Sequence, residues 1–162
     1  MGDTAIKKIT MFRGASNLTL DSKNRITIPT RYRETLFADF EGKMVCTLHT
    51  ESRCLLLYPL PEWEELELKL SRLSDMNPSE RIIKRILLGN ATECELDKNG
   101  RLLLNGVLRQ HANLDKNIML VGLFNKFEIW NEADWQAQMQ QGISDNQEGK
   151  IEPTERLLDL SL

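Results

Sequence analysis

The sequence predicts a mainly β fold with helices (α+β), made of two tandem modules around a helical insert. Three observations lead there. The segment Asp21-Ser22-Lys23-Asn24-Arg25-Ile26-Thr27-Ile28 returns later in the chain as Asp97-Lys98-Asn99-Gly100-Arg101-Leu102-Leu103-Leu104. Short apolar runs with strand-like alternation flank both copies. Between them lies a helical periodicity, apolar at Trp63, Leu66, Leu70 and Leu73. The spacing from Asp21 to Asp97 is too long for a solenoid unit and too short for two large domains. It suits two copies of a small module that cannot bury its apolar surface alone. The expected divisions are an extension outside the fold at 1–10, a first module at 11–63, the insert at 64–90, a second module at 91–141 and a polar, acidic tail at 142–162 with room for a short helix.

Each element follows from local chemistry. Leu18 and Leu20 alternate into a turn at Asp21 and Arg25 to Ile28 alternate out of it, which reads as a β-hairpin. Pro29 ends that strand. Thr30 to Phe37 fit a short helix with Thr30 as N-cap and Tyr32, Leu36 and Phe37 inward. Met44 to Leu48 and Cys54 to Tyr58 read as strands joined through His49 to Arg53. In the insert, Asn77-Pro78-Ser79-Glu80 supplies an N-cap, a proline at N1 and a glutamate at N3 for a helix that stops at Gly89.

The second module repeats the series. Cys94 and Leu96 lead into the turn, Arg101 to Leu104 lead out, and Val107 to His111 form a short helix. Ile118 to Leu123 and Phe127 to Trp130 are strands joined near Asn125. Asn131 is the expected N-cap of a helix reaching Gln141. Gly142 to Pro153 is polar, and Arg156 to Leu162 could be a leucine-bearing docking segment.

Composition narrows the function classes. The apolar share of 41% supports a core. No apolar run approaches the ~20 residues that span a bilayer. Cys46, Cys54 and Cys94 lack CxxC spacing and read as small buried residues of a reducing compartment, with no metal site expected. The net charge of −3 conceals a division. Residues 13–33 hold Arg13, Lys23, Arg25, Arg31 and Arg33 against Asp21 alone, a net of +4. Residues 142–162 hold five acids against Lys150 and Arg156, a net of −3. Local cationic density, rather than total charge, decides whether a polyanion binds.

The repeated Asp-x-x-x-Arg turn carries the chemistry. Asn99-Gly100 signals a tight turn with positive φ, and Asn24 stands where the second copy has Gly100. Asp21 and Asp97 can accept from the turn's own amides and orient the arginines. Arg25 and Arg101 would then offer planar donor forks to phosphate or guanine, with Lys23 and Lys98 as mobile charges at matching loop tips. Arg13 and Arg31 add nearby charge. Arg33 and Arg109, which match at the same offset as the turns, read as structural residues pairing with carboxylates near the turn. His49 and His111 have no partner constellation, and no phosphate loop or nucleophile elbow occurs. Neither an enzymatic activity, a cofactor nor a small-molecule substrate is expected.

As a set, Met11-Phe12-Arg13-Gly14, the two Asp-x-x-x-Arg turns, Pro29-Thr30-Arg31-Tyr32-Arg33, Cys54-Leu55-Leu56-Leu57-Tyr58-Pro59, Leu88-Gly89-Asn90-Ala91 and Phe124-Asn125-Lys126-Phe127-Glu128-Ile129-Trp130 closely resemble the bacterial MraZ family. The likeness covers about Met11 to Leu162 and implies translation from Met11. It implies two AbrB-like swapped-hairpin halves forming a pseudo-symmetric barrel, and ring-shaped homo-oligomers. It also implies a cytoplasmic, nucleoid-associated regulator that binds tandem direct repeats of promoter DNA before the division and cell-wall gene cluster. Asn24 departs from the pattern, whose first turn usually has glycine. The alternative from the residues themselves is a protein-interaction ring that docks partners through the insert helices and the tail.

Overall fold

The computed structural model describes residues 11–162; the expected extension at 1–10 lies outside the described residues. In chain order the elements are β1 (Phe12–Thr19), β2 (Arg25–Thr27), α1 (Thr30–Phe40), β3 (Lys43–Leu48), β4 (Leu55–Pro59), α2 (Leu60–Ser71), α3 (Pro78–Gly89), β5 (Thr92–Glu95), β6 (Arg101–Leu103), α4 (Gly106–His111), β7 (Asn117–Phe124), β8 (Phe127–Asn131), α5 (Glu132–Gln147) and α6 (Glu155–Leu158).

Strand pairing crosses between the two repeats. β1 runs antiparallel to β7, from Phe12 opposite Phe124 to Thr19 opposite Asn117. β5 likewise pairs with β3, and the hairpins β3–β4 and β7–β8 join through β4 and β8. In the resulting order, β1-β7-β8-β4-β3-β5, the modules contribute their first, third, fourth, fourth, third and first strands. The series therefore reads identically from either edge. Among the described residues β2 and β6 pair only with each other, as a separate two-stranded ribbon.

This corrects two expectations. The turn at Asp21 closes, but the strands on either side do not form a hairpin with each other. Alternation specifies which face of a strand is buried, and it is silent on the partner. Among the described residues the sheet also stays open, with β1 and β5 as its edges, so the expected closed barrel is not found.

Both faces of the sheet are used. On one, Leu55 and Leu57 of β4, Ile118 and Leu120 of β7 and Phe127 and Ile129 of β8 meet Ile26 and Ile28, Leu102 and Leu104, and Leu36 and Leu108 of the short helices. Burying each such side chain is worth about 1.5–3 kcal/mol. On the other, Val45, Leu56 and Tyr58 meet Trp63, Leu70 and Leu87 of α2 and α3. The buried hydroxyl of Thr47 is satisfied by donating to the Leu87 carbonyl at 2.7 Å, which ties β3 to the end of α3. Gly122 is required by the crossing of β1: a Cβ there would stand 2.6 Å from the Arg13 nitrogen.

Helix termini show where local reading holds. The Asn77 side chain accepts from Glu80 N at 3.1 Å, as the motif predicts. α1 is instead preceded by Pro29 at the cap position with no side-chain cap bond, so Thr30 is not its N-cap. Its inward residues are Tyr32 and Leu36, while Phe37 sits at the rim, 36% exposed. Phe37 lies against Gly42 after the helix end. The contacts divide the chain after Glu132. In the second unit, α5 continues beyond the expected end at Gln141, through Gly142 to Gln147. The glutamines and the two alanines, Ala133 and Ala137, before Gly142 favour helix. The side chain of Thr154 caps the short α6, and Leu157, Leu158, Leu160 and Leu162 are exposed.

Candidate nucleic-acid interface

The two repeated turns have one geometry. Asp21 N donates to Arg25 O at 2.9 Å and Asn24 N to Asp21 O at 3.0 Å. In the second copy Asp97 N donates to Arg101 O and Gly100 N to Asp97 O, both at 2.9 Å. Each aspartate then binds its turn twice through one oxygen. Asp21 Oδ1 accepts from Lys23 N and Arg25 N, and Asp97 Oδ1 from Asn99 N and Arg101 N, all at 2.9 Å. The second oxygen takes the arginine: Arg25 Nε donates to Asp21 Oδ2 at 3.0 Å and Arg101 Nε to Asp97 Oδ2 at 3.2 Å. The backbone amide of Arg25, foremost, holds the Asp21 carboxyl below its ordinary pKa, and that of Arg101 does the same for Asp97.

Positive φ lets the turns close. Asn24 adopts φ 63° and Gly100 φ 74°, a conformation that glycine and asparagine reach at least cost. The residues are not interchangeable in their surroundings. Gly100 is buried beneath the stem of Arg33, whose Cδ would lie 2.2 Å from an added Cβ. Arg33 is fixed there because its Nε donates to Ile28 O at 2.6 Å. Arg109 makes the equivalent bond, Nε to Leu104 O at 3.1 Å. Both arginines hold the backbone, but their Nε partners are the carbonyls just after β2 and β6 rather than the expected carboxylates.

The ribbon brings both turns to one surface. Arg25 stands opposite Leu103, Ile26 opposite Leu102 and Thr27 opposite Arg101. Ile26 and Leu102 are fully buried, so Arg25, Thr27, Arg101 and Leu103 occupy the outer face. The turns are locked further by Ile28 N donating to Gly100 O and Leu104 N to Asn24 O. Arg25 and Arg101 are 24% and 32% exposed, lying against their own turns rather than extended from them. Only one of the five guanidinium hydrogens is committed to the aspartate. No acceptor meets the Nη groups of either arginine among the described residues.

The other expected cations fall elsewhere. Lys23 and Lys98 are exposed, but Lys23 is the third residue of its turn and Lys98 the second of its own, so the lysines do not match as the arginines do. Arg31 on α1 is held against β1, beside the backbone of Arg13. Arg31 Nη2 donates to Ser16 Oγ and, at 2.9 Å, to the Tyr32 hydroxyl. That hydroxyl donates to the Arg13 carbonyl, and the Arg31 guanidinium lies 4.7 Å from the Tyr32 ring centroid. Thr27, Leu103 and the Arg33–Gly100 contact are not singled out by reading the sequence. A signal for the first two is nonetheless present, because Thr27 and Leu103 occupy equivalent places in the two copies.

Catalytic-looking side chains have structural partners. His49 Nδ1 accepts from Glu51 N at 3.0 Å and Ser52 N at 2.9 Å, closing the β3–β4 loop. His49 Nε2 faces Glu128 at 3.6 Å, and His111 ends α4. Burial raises the pKa of Cys46, Cys54 and Cys94, the last to about 12, so these thiols stay protonated. Among the described residues no cluster of three metal-ligating side chains occurs, and no helix is long and apolar enough to cross a membrane.

Comparison with known proteins matches this duplicated architecture. The family described as "MraZ protein, putative antitoxin-like" matches the chain twice, over residues 11–86 and 87–160. A protein of Colwellia psychrerythraea named transcriptional regulator MraZ is 70% identical over 152 residues, 94% of this chain and 100% of that protein. Proteins of the same name from Pseudoalteromonas atlantica and Idiomarina loihiensis are 62% and 59% identical over the same shares. With both repeats matched and relatives this similar across their whole length, the chain belongs to the MraZ family.

Proposed function

We propose that this protein is a transcriptional regulator that binds promoter DNA through the β2–β6 ribbon, without catalytic activity, cofactor or small-molecule substrate. One observation carries the reading: two equivalent Asp–Arg turns close opposite ends of a single two-stranded ribbon and set both arginines on its outer face. A two-stranded ribbon fits the major groove. There an arginine with free Nη hydrogens can donate to the O6 and N7 acceptors of guanine. The aspartates fix each guanidinium before DNA arrives, which lowers the ordering cost of binding. Lys23, Lys98, Arg13 and Arg31 add phosphate attraction. The name shared by the relatives supports the regulatory role.

One ribbon makes few contacts, so useful affinity calls for several subunits acting together. The finer reading is therefore a ring-like homo-oligomer on tandem direct repeats, acting at the nucleoid on the promoter of the division and cell-wall gene cluster. Its halves would be AbrB-like swapped hairpins, divided at 11–63, 64–90 and 91–141, with 142–162 as an appended tail. Footprinting on the upstream region of the protein's own gene tests the target. Arg25→Ala should weaken binding to the protected duplex at least about tenfold while the mass by light scattering is unchanged. Unchanged affinity would remove Arg25 from the mechanism.

The exposed leucines from Leu157 to Leu162 favour a second reading, a ring that docks a protein partner. Salt separates the two. DNA binding falls steeply as salt rises because condensed counterions are released. Absence of binding to the upstream duplex at low salt would leave the partner-docking reading.

A further inference from the structure

The outer face of the ribbon is nearly two-fold symmetric in backbone and unequal in side chains. Arg25 and Arg101 correspond to each other, but Thr27 corresponds to Leu103. The difference continues into the helices that follow: exposed Arg31 corresponds to Val107, which is 57% exposed. On the ribbon itself the two halves keep the same arginine and differ at one position, Thr27 in one and Leu103 in the other. Leu103 is 62% exposed and stands directly opposite Arg25. A single exposed leucine is ordinary. Here it occupies one of four positions on the surface assigned to DNA, at Cβ contact range of the principal arginine.

We propose that Leu103 reads the 5-methyl group of a thymine beside the base contacted by Arg25, and that the Thr27/Leu103 inequality gives the ribbon a direction along DNA. This rests on the DNA-binding reading above. The major groove presents the thymine methyl as its one apolar feature. A leucine side chain can cover it, whereas the shorter Thr27 can contact either a methyl or a hydrogen-bonding edge. A face with two identical halves would suit a palindrome. A face with leucine on one side favours one orientation, which suits boxes repeated head to tail.

The test uses the full chain and the duplex protected in the footprint, with each thymine replaced singly by deoxyuridine, which removes only the methyl. Wild-type protein should lose about fourfold in affinity at one thymine adjacent to a guanine, the size of one buried methyl group. Leu103→Thr should bind the thymine and uracil duplexes equally at that position and retain the wild-type oligomeric mass. The reciprocal Thr27→Leu should acquire a new thymine preference on the other side of the ribbon. Equal uracil sensitivity in wild type and Leu103→Thr overturns the assignment. So does a Leu103→Thr protein whose mass falls while its base preference persists, which would place Leu103 between subunits. Absence of any protected duplex for the wild type would instead remove the DNA-binding reading itself.

Discussion

The first turn, Asp21 to Arg25, and the second, Asp97 to Arg101, share every principal hydrogen bond and differ in what surrounds them. The first keeps an asparagine at the positive-φ position, half-buried. The second keeps a glycine that lies buried under Arg33 of the other module. The helix after the first turn follows Pro29 without a side-chain cap. The helix after the second follows Asn105, whose side chain accepts from Val107 N at 2.8 Å. Identical local geometry thus serves unequal roles. The second turn is clamped into the fold, and the first stands in the more basic part of the sequence.

Breaking the clamp should give the greatest change. Gly100→Ala places a methyl group against the Arg33 stem at positive φ and should cost about 1–3 kcal/mol in urea unfolding. Asn24→Gly should stay within about 0.5 kcal/mol. Equal losses at the two positions would show that the turns are packed alike.

DNA binding tests the other side of the contrast. Arg25→Ala should weaken binding at least about tenfold, and Arg101→Ala less, because fewer cations surround the second turn in the sequence. A larger loss for Arg101→Ala would reverse the ranking. The lysines should give smaller changes. Lys23→Ala and Lys98→Ala should each lower the slope of log affinity against log salt by about one, since each removes an exposed charge without a base contact.

Acid should loosen both turns together. The folded-state pKa of each aspartate lies below its ordinary value, foremost through the backbone amide of its arginine. Its contribution is therefore complete above the unfolded value and is lost as pH falls through the folded one. The amide signals of Lys23, Arg25, Asn99 and Arg101 should shift together in an NMR titration below about pH 4. A turn whose amides do not respond is held by something other than its aspartate.

Much of this is legible in the sequence because it is decided within a few residues. The Asp-x-x-x-Arg turns and the asparagine cap at Asn77 depend on neighbours in the chain and close locally, and the insert periodicity does mark a helix, although α2 ends at Ser71, before Leu73. The match of Arg33 with Arg109 also identifies two equivalent structural side chains, although not their carbonyl partners. Thr30 does not cap its helix because Pro29 already supplies the extended residue that precedes it. Strand partners are another matter. β1 and β2 leave one turn and go to β7 and β6, because alternating apolar residues mark a buried face without naming the strand beside it. The covering of Gly100 by Arg33 is likewise a contact between modules, invisible to any reading of neighbours along the chain. Local sequence specifies two turns that present arginine, since their hydrogen bonds close within five consecutive residues. Long-range pairing of β2 with β6 sets both arginines, and the unequal Thr27 and Leu103, on a single face.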